Sequence, residues 1–369
     1  MKIMCVVGAR PNFVKAAPVI EALRKHPGMA AVLVHTGQHY DRAMSELFFE
    51  ELGIPAPDLD LQVGSASHGE QTGQIMIRFE PVLKQEKPDL VMVFGDVNST
   101  VAASLCAAKL GIRVAHVEAG LRSFDRTMPE EVNRIITDHL SDYLFTTEPG
   151  AQKNLVREGI ATDKIFFVGN VMVDTLLKHR ARAQRLQFAQ KFGLLARGYA
   201  LLTLHRPTNV DDPQTLANIL EAVGELSQRL PIVFPCHPRT REQLLGLAER
   251  FPWINQYDQK DNRRVILTEP LGYLEFLSLM SDARFILTDS GGIQEETTVL
   301  GIPCLTLREN TERPVTIEQG TNALVGNARE RILTAAEKIL DGEISEGRAP
   351  GLWDGNAAKR IVDILVARA

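Results

Sequence analysis

Several residues able to move protons or hold anions stand where apolar runs stop. Asp96 closes VMVFGD, Glu118 closes VAHVEA and His205 closes ALLTLH. A carboxylate at the end of an apolar strand is partly desolvated, which raises its pKa toward the range useful for acid–base work. Asp96 is equally placed to cap the helix after it, although Asn98 and Ser99 are capable caps too. A histidine at a strand end titrates near neutrality or donates to a phosphate. His237 closes IVFPCH in the same manner, and there a structural role fits at least as well. In TMPEEVNR, Pro129 suits the first helical position, and Thr127 with Glu130 fits a capping box. Glu130 and Arg134 also lie one turn apart on one face, where they can present a charge pair.

Two stretches have the chemistry of anion sites. In GARPNFVK, Gly8 permits a tight turn while Arg10 and Lys15 bring two cations to a helix start. That arrangement suits an anion, and a solvated basic helix start explains it as well. In TDSGGIQEE, Ser290, Gly291 and Gly292 follow an apolar run and open a helix, offering a hydroxyl and unobstructed N–H groups to a diphosphate. Glu295 and Glu296 fall in the early turns, where the helix dipole tolerates negative charge. A glutamate one turn beyond a phosphate cradle can accept hydrogen bonds from the two hydroxyls of a ribose, so the expected ligand is a nucleotide. Arg313, in NTERPVT, is a further cation for that site.

These residues must be carried by strands. Eleven apolar runs alternate with amphipathic helices: 2–8, 31–37, 89–96, 113–120, 143–147 and 164–170, then 199–205, 231–237, 264–270, 283–289 and 303–307. Continuous apolar strands alternating with helices predict parallel sheets covered on both faces. Eleven are too many for one open sheet, so the expected fold is α/β with two Rossmann-like doubly wound domains. The boundary is placed after VGN: residues 1–170 form the first domain and 171–355 the second, and the helix 356–369 follows a Gly/Pro-rich link. Ligands of such sheets bind beyond the carboxyl ends of the strands, which is where the acids and glycines lie.

A net charge of −5 and an isoelectric point near 6.0 argue against nucleic acid as a partner. No apolar run reaches membrane-spanning length and the first lacks a signal peptide's flanks, so a soluble, cytoplasmic protein is expected. Cys5, Cys106, Cys236 and Cys304 lack metal-binding spacing and read as buried free thiols. His35 and His39 sit four apart, but Gly37 breaks any helix between them, so no zinc pair is expected.

Taken in order, GARPNFVK, FGDVNST, HVEAGLRS, MPEEVNR, LHRP, DSGGIQEE and TERP resemble the non-hydrolysing UDP-N-acetylglucosamine 2-epimerases over nearly the whole chain. Each motif alone is weak; together they are highly specific. The resemblance implies a glycosyltransferase-B-like pair of domains facing a cleft, the last helix returning to the first domain, and a homodimer. It implies interconversion of UDP-GlcNAc and UDP-ManNAc for surface polysaccharide synthesis, with no nicotinamide, metal or other cofactor. UDP is eliminated to give 2-acetamidoglucal and then re-added with inversion at C2. By the same resemblance Asp96, Glu118, Glu130 and His205 are the catalytic set, while Arg10, Lys15, Arg134 and Arg313 bind or position the nucleotide sugar. Ser290, Gly291 and Gly292 hold the diphosphate, and Glu296 the ribose.

That chemistry matches what the strand ends offer. Removing the weakly acidic C2 proton needs a base, and inversion needs a donor on the other face. Two stretches depart from the best-known members. HRPTNVDD lacks the charged pair that follows His-Arg there, and GQHYDRAM has Tyr40 and Asp41 in a segment tied in some members to activation by a second UDP-GlcNAc. Effector control is therefore open, as is a modified substrate such as a UDP-diacetamido-hexuronic acid. A glycosyltransferase or hydrolysing enzyme on the same scaffold is the competing class; it would need an acceptor or water site, and the acids at 96, 118 and 130 disfavour a simple transferase. A non-catalytic UDP-sugar sensor would have no need of them.

Overall fold

The computed structural model describes residues 1–38, 49–255, 264–343 and 347–368. Each of the eleven apolar runs forms a strand: β1 (Lys2–Val7), β2 (Ala30–His35), β4 (Leu90–Phe94), β5 (Arg113–Ala119), β6 (Tyr143–Thr146), β7 (Ile165–Phe167), β8 (Ala200–Thr203), β9 (Ile232–Pro235), β10 (Val265–Thr268), β11 (Phe285–Thr288) and β12 (Cys304–Thr306). Two more, β3 (Leu59–Asp60) and β13 (Asn322–Leu324), extend one edge of each sheet. At two and three residues, and partly polar, they carry no apolar run to find.

The strands make two all-parallel sheets with the same winding. The first runs β3-β2-β1-β4-β5-β6-β7 and the second β10-β9-β8-β11-β12-β13. In each, the chain winds outward from a central strand in one direction, then returns and winds in the other. The reversal falls between β1 and β4 in the first sheet and between β8 and β11 in the second. Helices diverge there, opening a crevice at the carboxyl ends of the strands. Met4, Cys5, Val91 and Val93 in the first sheet, and Leu201, Leu202, Ile286 and Leu287 in the second, are fully buried. Each such apolar side chain contributes roughly 1.5–3 kcal/mol on leaving water.

The chain divides into two compact units, Met1–Lys178 with Gly351–Ala369, and His179–Pro350. The division falls inside the helix Val171–Leu186 rather than ahead of it. Within the first unit, the N–H groups of Ala357 and Ala358 donate to Asp174 at 3.1 and 2.7 Å. Asp174 thereby caps the helix Ala357–Ala367, whose own N-cap residue Asn356 makes no side-chain capping bond. Burial pushes the Asp174 carboxyl up to about 6. Trp353 Nε1 donates to the Thr147 carbonyl at 2.9 Å, tying the link before that helix to the end of β6.

All four cysteines are buried and free. Burial pushes the thiols of Cys5, Cys236 and Cys304 up to about 12, and that of Cys106 up to about 11. Among the described residues, no three His, Cys, Asp or Glu side chains are grouped to hold a metal, and no helix is long and apolar enough to cross a membrane. His39, and most of the GQHYDRAM segment, lie outside the described residues.

Candidate active site

In the first unit the functional side chains gather where β1, β4 and β5 end. The helix Arg10–Lys25 starts directly after β1. Asn12, in its first turn, accepts from the N–H groups of Gly8 and Ala9, both at 3.2 Å, and donates to the Phe94 carbonyl at 2.7 Å. One amide thus ties the ends of β1 and β4 together at the switch point. One turn later Lys15 is buried, and its Nζ donates to Glu118 Oε1 at 2.6 Å. The two residues lie 103 positions apart in the chain. They meet above Gly95, whose φ of +63° favours glycine and where a Cβ would fall 2.9 Å from Lys15 Nζ.

Glu118 reaches that position through an unusual backbone. Its φ is +78°, a region that non-glycine residues enter at a cost of roughly 1–3 kcal/mol. The β5–β6 register shifts at the same place, between Val117 and Ala119. Asp96, with a side chain 20% exposed, is ion-paired with Arg134 Nη1. Its own carbonyl accepts from Asn133 Nδ2 at 2.9 Å.

On its other side Arg134 is held by Glu131, a neighbour of Glu130. Glu131 accepts from Arg134 Nη2 at 2.7 Å and from the N–H groups of Ser123 and Phe124 at 2.9 and 3.0 Å. Burial opposes its charge, but these donors outweigh burial and hold the carboxyl below its usual range. The proposed capping box is also absent. The helix Pro129–Leu140 has Met128, which carries no capping oxygen, as its N-cap, and Thr127 Oγ1 donates instead to Asp125 at 2.6 Å. Glu130 stands in the first turn of that helix and Arg10 in the first turn after β1, both partly exposed.

In the second unit β8 and β11 end side by side, and Asp289, just past β11, organises the turn that leaves β8. It is fully buried and accepts from the N–H groups of His205 and Arg206, from Asn209 Nδ2, and from His205 Nδ1 at 2.8 Å. Burial opposes its charge; the His205 imidazole and the two N–H groups outweigh burial and hold the carboxyl below its usual range. With Nδ1–H committed to Asp289, Nε2 is the nitrogen left for proton exchange. The His205 side chain is 46% exposed. His237, at the end of β9, is exposed as well.

The helix Gly291–Leu300 opens immediately after Asp289, with Ser290 as N-cap and no side-chain capping bond. Its first-turn N–H groups are therefore not consumed by Ser290, which suits an anion. At Gly291 a Cβ would fall 2.6 Å from Arg313 Nη1 and 2.7 Å from Glu312 Oε1, so a larger residue would displace that pair. Arg313 is buried and paired with Glu295 at 2.9 Å and Glu312 at 2.6 Å. The two adjacent glutamates thus have different fates: Glu295 is charge-paired, whereas Glu296 accepts from the Tyr273 hydroxyl at 3.0 Å. Burial pushes the Glu296 carboxyl up to about 7; the Tyr273 hydroxyl opposes this and the nearby Glu295 charge adds to it.

This arrangement has counterparts among known proteins. A family model described as UDP-N-acetylglucosamine 2-epimerase matches residues 21–366. The UDP-N-acetylglucosamine 2-epimerase of Methanocaldococcus jannaschii is 46% identical over 99% of both chains. The chain belongs to the UDP-N-acetylglucosamine 2-epimerase family. A crystal structure of the M. jannaschii enzyme in complex with UDP-GlcNAc and UDP superposes on the whole of both chains with a TM-score of 0.90. The UDP-2,3-diacetamido-2,3-dideoxy-D-glucuronate 2-epimerase of Pseudomonas aeruginosa is 43% identical over 99% of both chains. The fold is accordingly the glycosyltransferase-B-like pair of Rossmann-like units.

Of the residues picked out by sequence, Lys15, Asp96, Glu118 and Arg134 come together in the first unit, and His205, Ser290, Gly291, Glu296 and Arg313 lie on or beside the ends of β8 and β11 in the second. Glu131, Tyr273 and Asp289 were not picked out. Asp289 closes an apolar strand just as Asp96 does, so the rule that found one would have found the other. Glu131 is three residues before Arg134, a spacing that faces it as well as Glu130's four. Tyr273 has no such signal.

Proposed function

We propose that the protein is a UDP-N-acetylglucosamine 2-epimerase of the non-hydrolysing kind, interconverting UDP-GlcNAc and UDP-ManNAc. The observation that carries the reading is the cluster at the ends of β4 and β5. A base must be placed against a weakly acidic C2–H, and Asp96 is a partly exposed carboxylate oriented by Arg134. Glu118 and Lys15 beside it form a second, buried acid–base pair. A transferase that only exchanges acceptors has no use for these groups. In the second unit, the helix start at Gly291–Gly292 with Ser290 receives the diphosphate, Glu296 the ribose hydroxyls, and His205 Nε2 a proton or a phosphate oxygen.

In the forward direction the C2 proton passes to an enzyme base while the C1–O bond to UDP breaks, leaving 2-acetamidoglucal. UDP then re-adds to C1 as a proton is delivered to the opposite face of C2. Arg10, on the first turn after β1, and Arg313, behind Gly291, favour the charge of the departing diphosphate. Glu130 completes the acid–base set. The similarity to the P. aeruginosa enzyme favours a second reading, in which the hexose carries further acetamido and carboxylate groups. We also infer a cytoplasmic homodimer that supplies surface polysaccharide synthesis. Activation by a second UDP-GlcNAc is left to a titration of rate against substrate.

Incubation with UDP-GlcNAc in D2O, followed at C2 by NMR, tests the reading. Deuterium at C2 with UDP-ManNAc appearing supports it, and free ManNAc with UDP would indicate hydrolysis. Turnover of a diacetamido-hexuronate but not of UDP-GlcNAc would select the second substrate. Asp96→Asn should abolish exchange while UDP still binds. Wild-type exchange in that variant would remove Asp96 from the mechanism.

A further inference from the structure

His116 lies in the middle of β5, fully buried, and touches no group assigned a role above. Its Nδ1 is 2.7 Å from Asp138 Oδ1 and its Nε2 is 2.8 Å from the Gly95 carbonyl oxygen. A carbonyl can only accept. Asp138 is an acceptor too, because its other oxygen takes hydrogen bonds from Arg122 Nη1 at 2.7 Å and from Gly120 N–H at 3.1 Å. Burial opposes the Asp138 charge, yet His116 and Arg122 outweigh burial and keep the carboxyl below its usual range. A neutral imidazole has a single N–H and would leave one of the two contacts as acceptor against acceptor. Both contacts are met together when both ring nitrogens donate.

What this ring grips is specific. The oxygen on Nε2 belongs to the peptide that leads directly from Gly95 into Asp96. The N–H of Gly95 donates to the Val117 carbonyl at 3.0 Å, and its Cα faces the Lys15–Glu118 pair, with Glu118 Oε1 3.6 Å from where a Cβ would stand. From the helix Pro129–Leu140, Asp138 binds both His116 and Gly120, the residues two before and two after Glu118. The left-handed backbone of Glu118 is bracketed by one carboxylate, which is how a strained conformation persists.

We propose that His116, acting with Asp138, is a positioning residue that fixes the turn bearing Asp96 and the bulge bearing Glu118 in register with each other. It acts through the backbone and touches no reacting atom. The inference rests on the epimerase reading insofar as Asp96 and Glu118 are its acid–base groups.

The test compares His116→Asn, whose amide can donate to Asp138 in place of Nδ1, with His116→Gln, whose longer amide can donate to the Gly95 carbonyl in place of Nε2. In enzyme that melts cooperatively and binds UDP within about twofold of wild type, His116→Asn should lower kcat for C2 exchange about 100-fold with KM little changed, the cost of roughly an ångström of misplacement. His116→Gln should recover kcat to within about tenfold of wild type. Folded His116→Asn with wild-type kcat would overturn the proposal, as would equal losses in both variants that merely follow the folded fraction. A second measurement needs no variant: nitrogen NMR of the histidine-labelled wild-type protein should find one buried ring with both nitrogens protonated. A neutral tautomer there would also overturn it. Wild-type protein that exchanges no C2 proton with any UDP-sugar would sink the epimerase reading instead, while the NMR result would still decide the state of His116.

Discussion

A histidine set against a buried aspartate occurs in each unit, with opposite outcomes. His116–Asp138 and His205–Asp289 both place an imidazole Nδ1 against a fully buried aspartate, at 2.7 and 2.8 Å. His116 is sealed, and both of its nitrogens are spent on the protein. His205 has one nitrogen tied and nearly half of its side chain exposed. The aspartates differ as well. Asp138 is shared with Arg122, itself clamped by Glu158, so its charge is balanced within a closed network. Asp289 accepts from the His205 imidazole and from two backbone N–H groups, with no arginine side chain in those bonds. The two pairs differ in whether the second ring nitrogen is already used, which is what separates the clamp proposed for His116 from the working group proposed for His205.

That contrast can be broken in several ways. The largest expected effect is on His205→Ala, which should lower the rate of UDP-ManNAc formation about 10²–10⁴-fold, the range for loss of a general acid–base group. Its melting curve should move less than that of Asp138→Ala, because the side chain removed is half-exposed and Asp289 keeps its backbone N–H donors. A large stability loss in proportion to the rate loss would make the second pair a clamp like the first. Asp138→Ala should do the opposite in denaturant unfolding, costing about 3–5 kcal/mol by leaving His116 and Arg122 uncompensated in the interior. A loss below about 1 kcal/mol would mean that water reaches the network.

A smaller effect is common to both pairs. Asp138 and Asp289 are held below the ordinary carboxyl range, so the unfolded chain takes up their protons first as pH falls. Their stabilisation is complete above about pH 4 and is lost as pH drops further through the folded-state values. Stability measured from pH 5 to pH 3 should fall, and fall less steeply in Asp289→Asn. An unchanged slope would detach Asp289 from the acid limb.

The smallest expected signal comes from Glu296, pushed up to about 7 from 4.5. Here the folded state holds the proton more tightly, so its contribution to stability is fully present below about pH 4.5 and declines as pH rises through 7. Ribose hydroxyls donating to Glu296 favour the carboxylate, so UDP binding near pH 6.5 should release a fraction of one proton. Calorimetry in buffers of different ionisation enthalpy reads that release, and Glu296→Gln should abolish it.

The strands were legible because buried parallel strands are written as unbroken apolar runs, and the acids that end them stand out by contrast. What joins those acids is not written locally. Lys15 and Glu118 are 103 residues apart, and Asp96 and Arg134 are 38 apart, so only the winding of the sheet brings each pair together. At the helix start near Pro129, Glu131 sits three residues before Arg134, and its pairing with that arginine and with the Ser123 and Phe124 N–H groups shows only in the folded chain. Thr127 was lost to Asp125 by a turn that no periodicity records. His116 looked like one more residue in an apolar strand, and its role depends on a carbonyl that no side-chain pattern can report.

The capping of Ala357–Ala367 by Asp174 bears on how the protein is made. The first unit is not contiguous: it includes Gly351–Ala369, and the whole second unit, His179–Pro350, is synthesised in between. At about 5–20 residues per second the ribosome needs on the order of ten to thirty seconds to cross that stretch. Throughout that interval Asp174 lacks the amides of Ala357 and Ala358, and the Thr147 carbonyl lacks the indole of Trp353. The half of the molecule that emerges first is thus finished last.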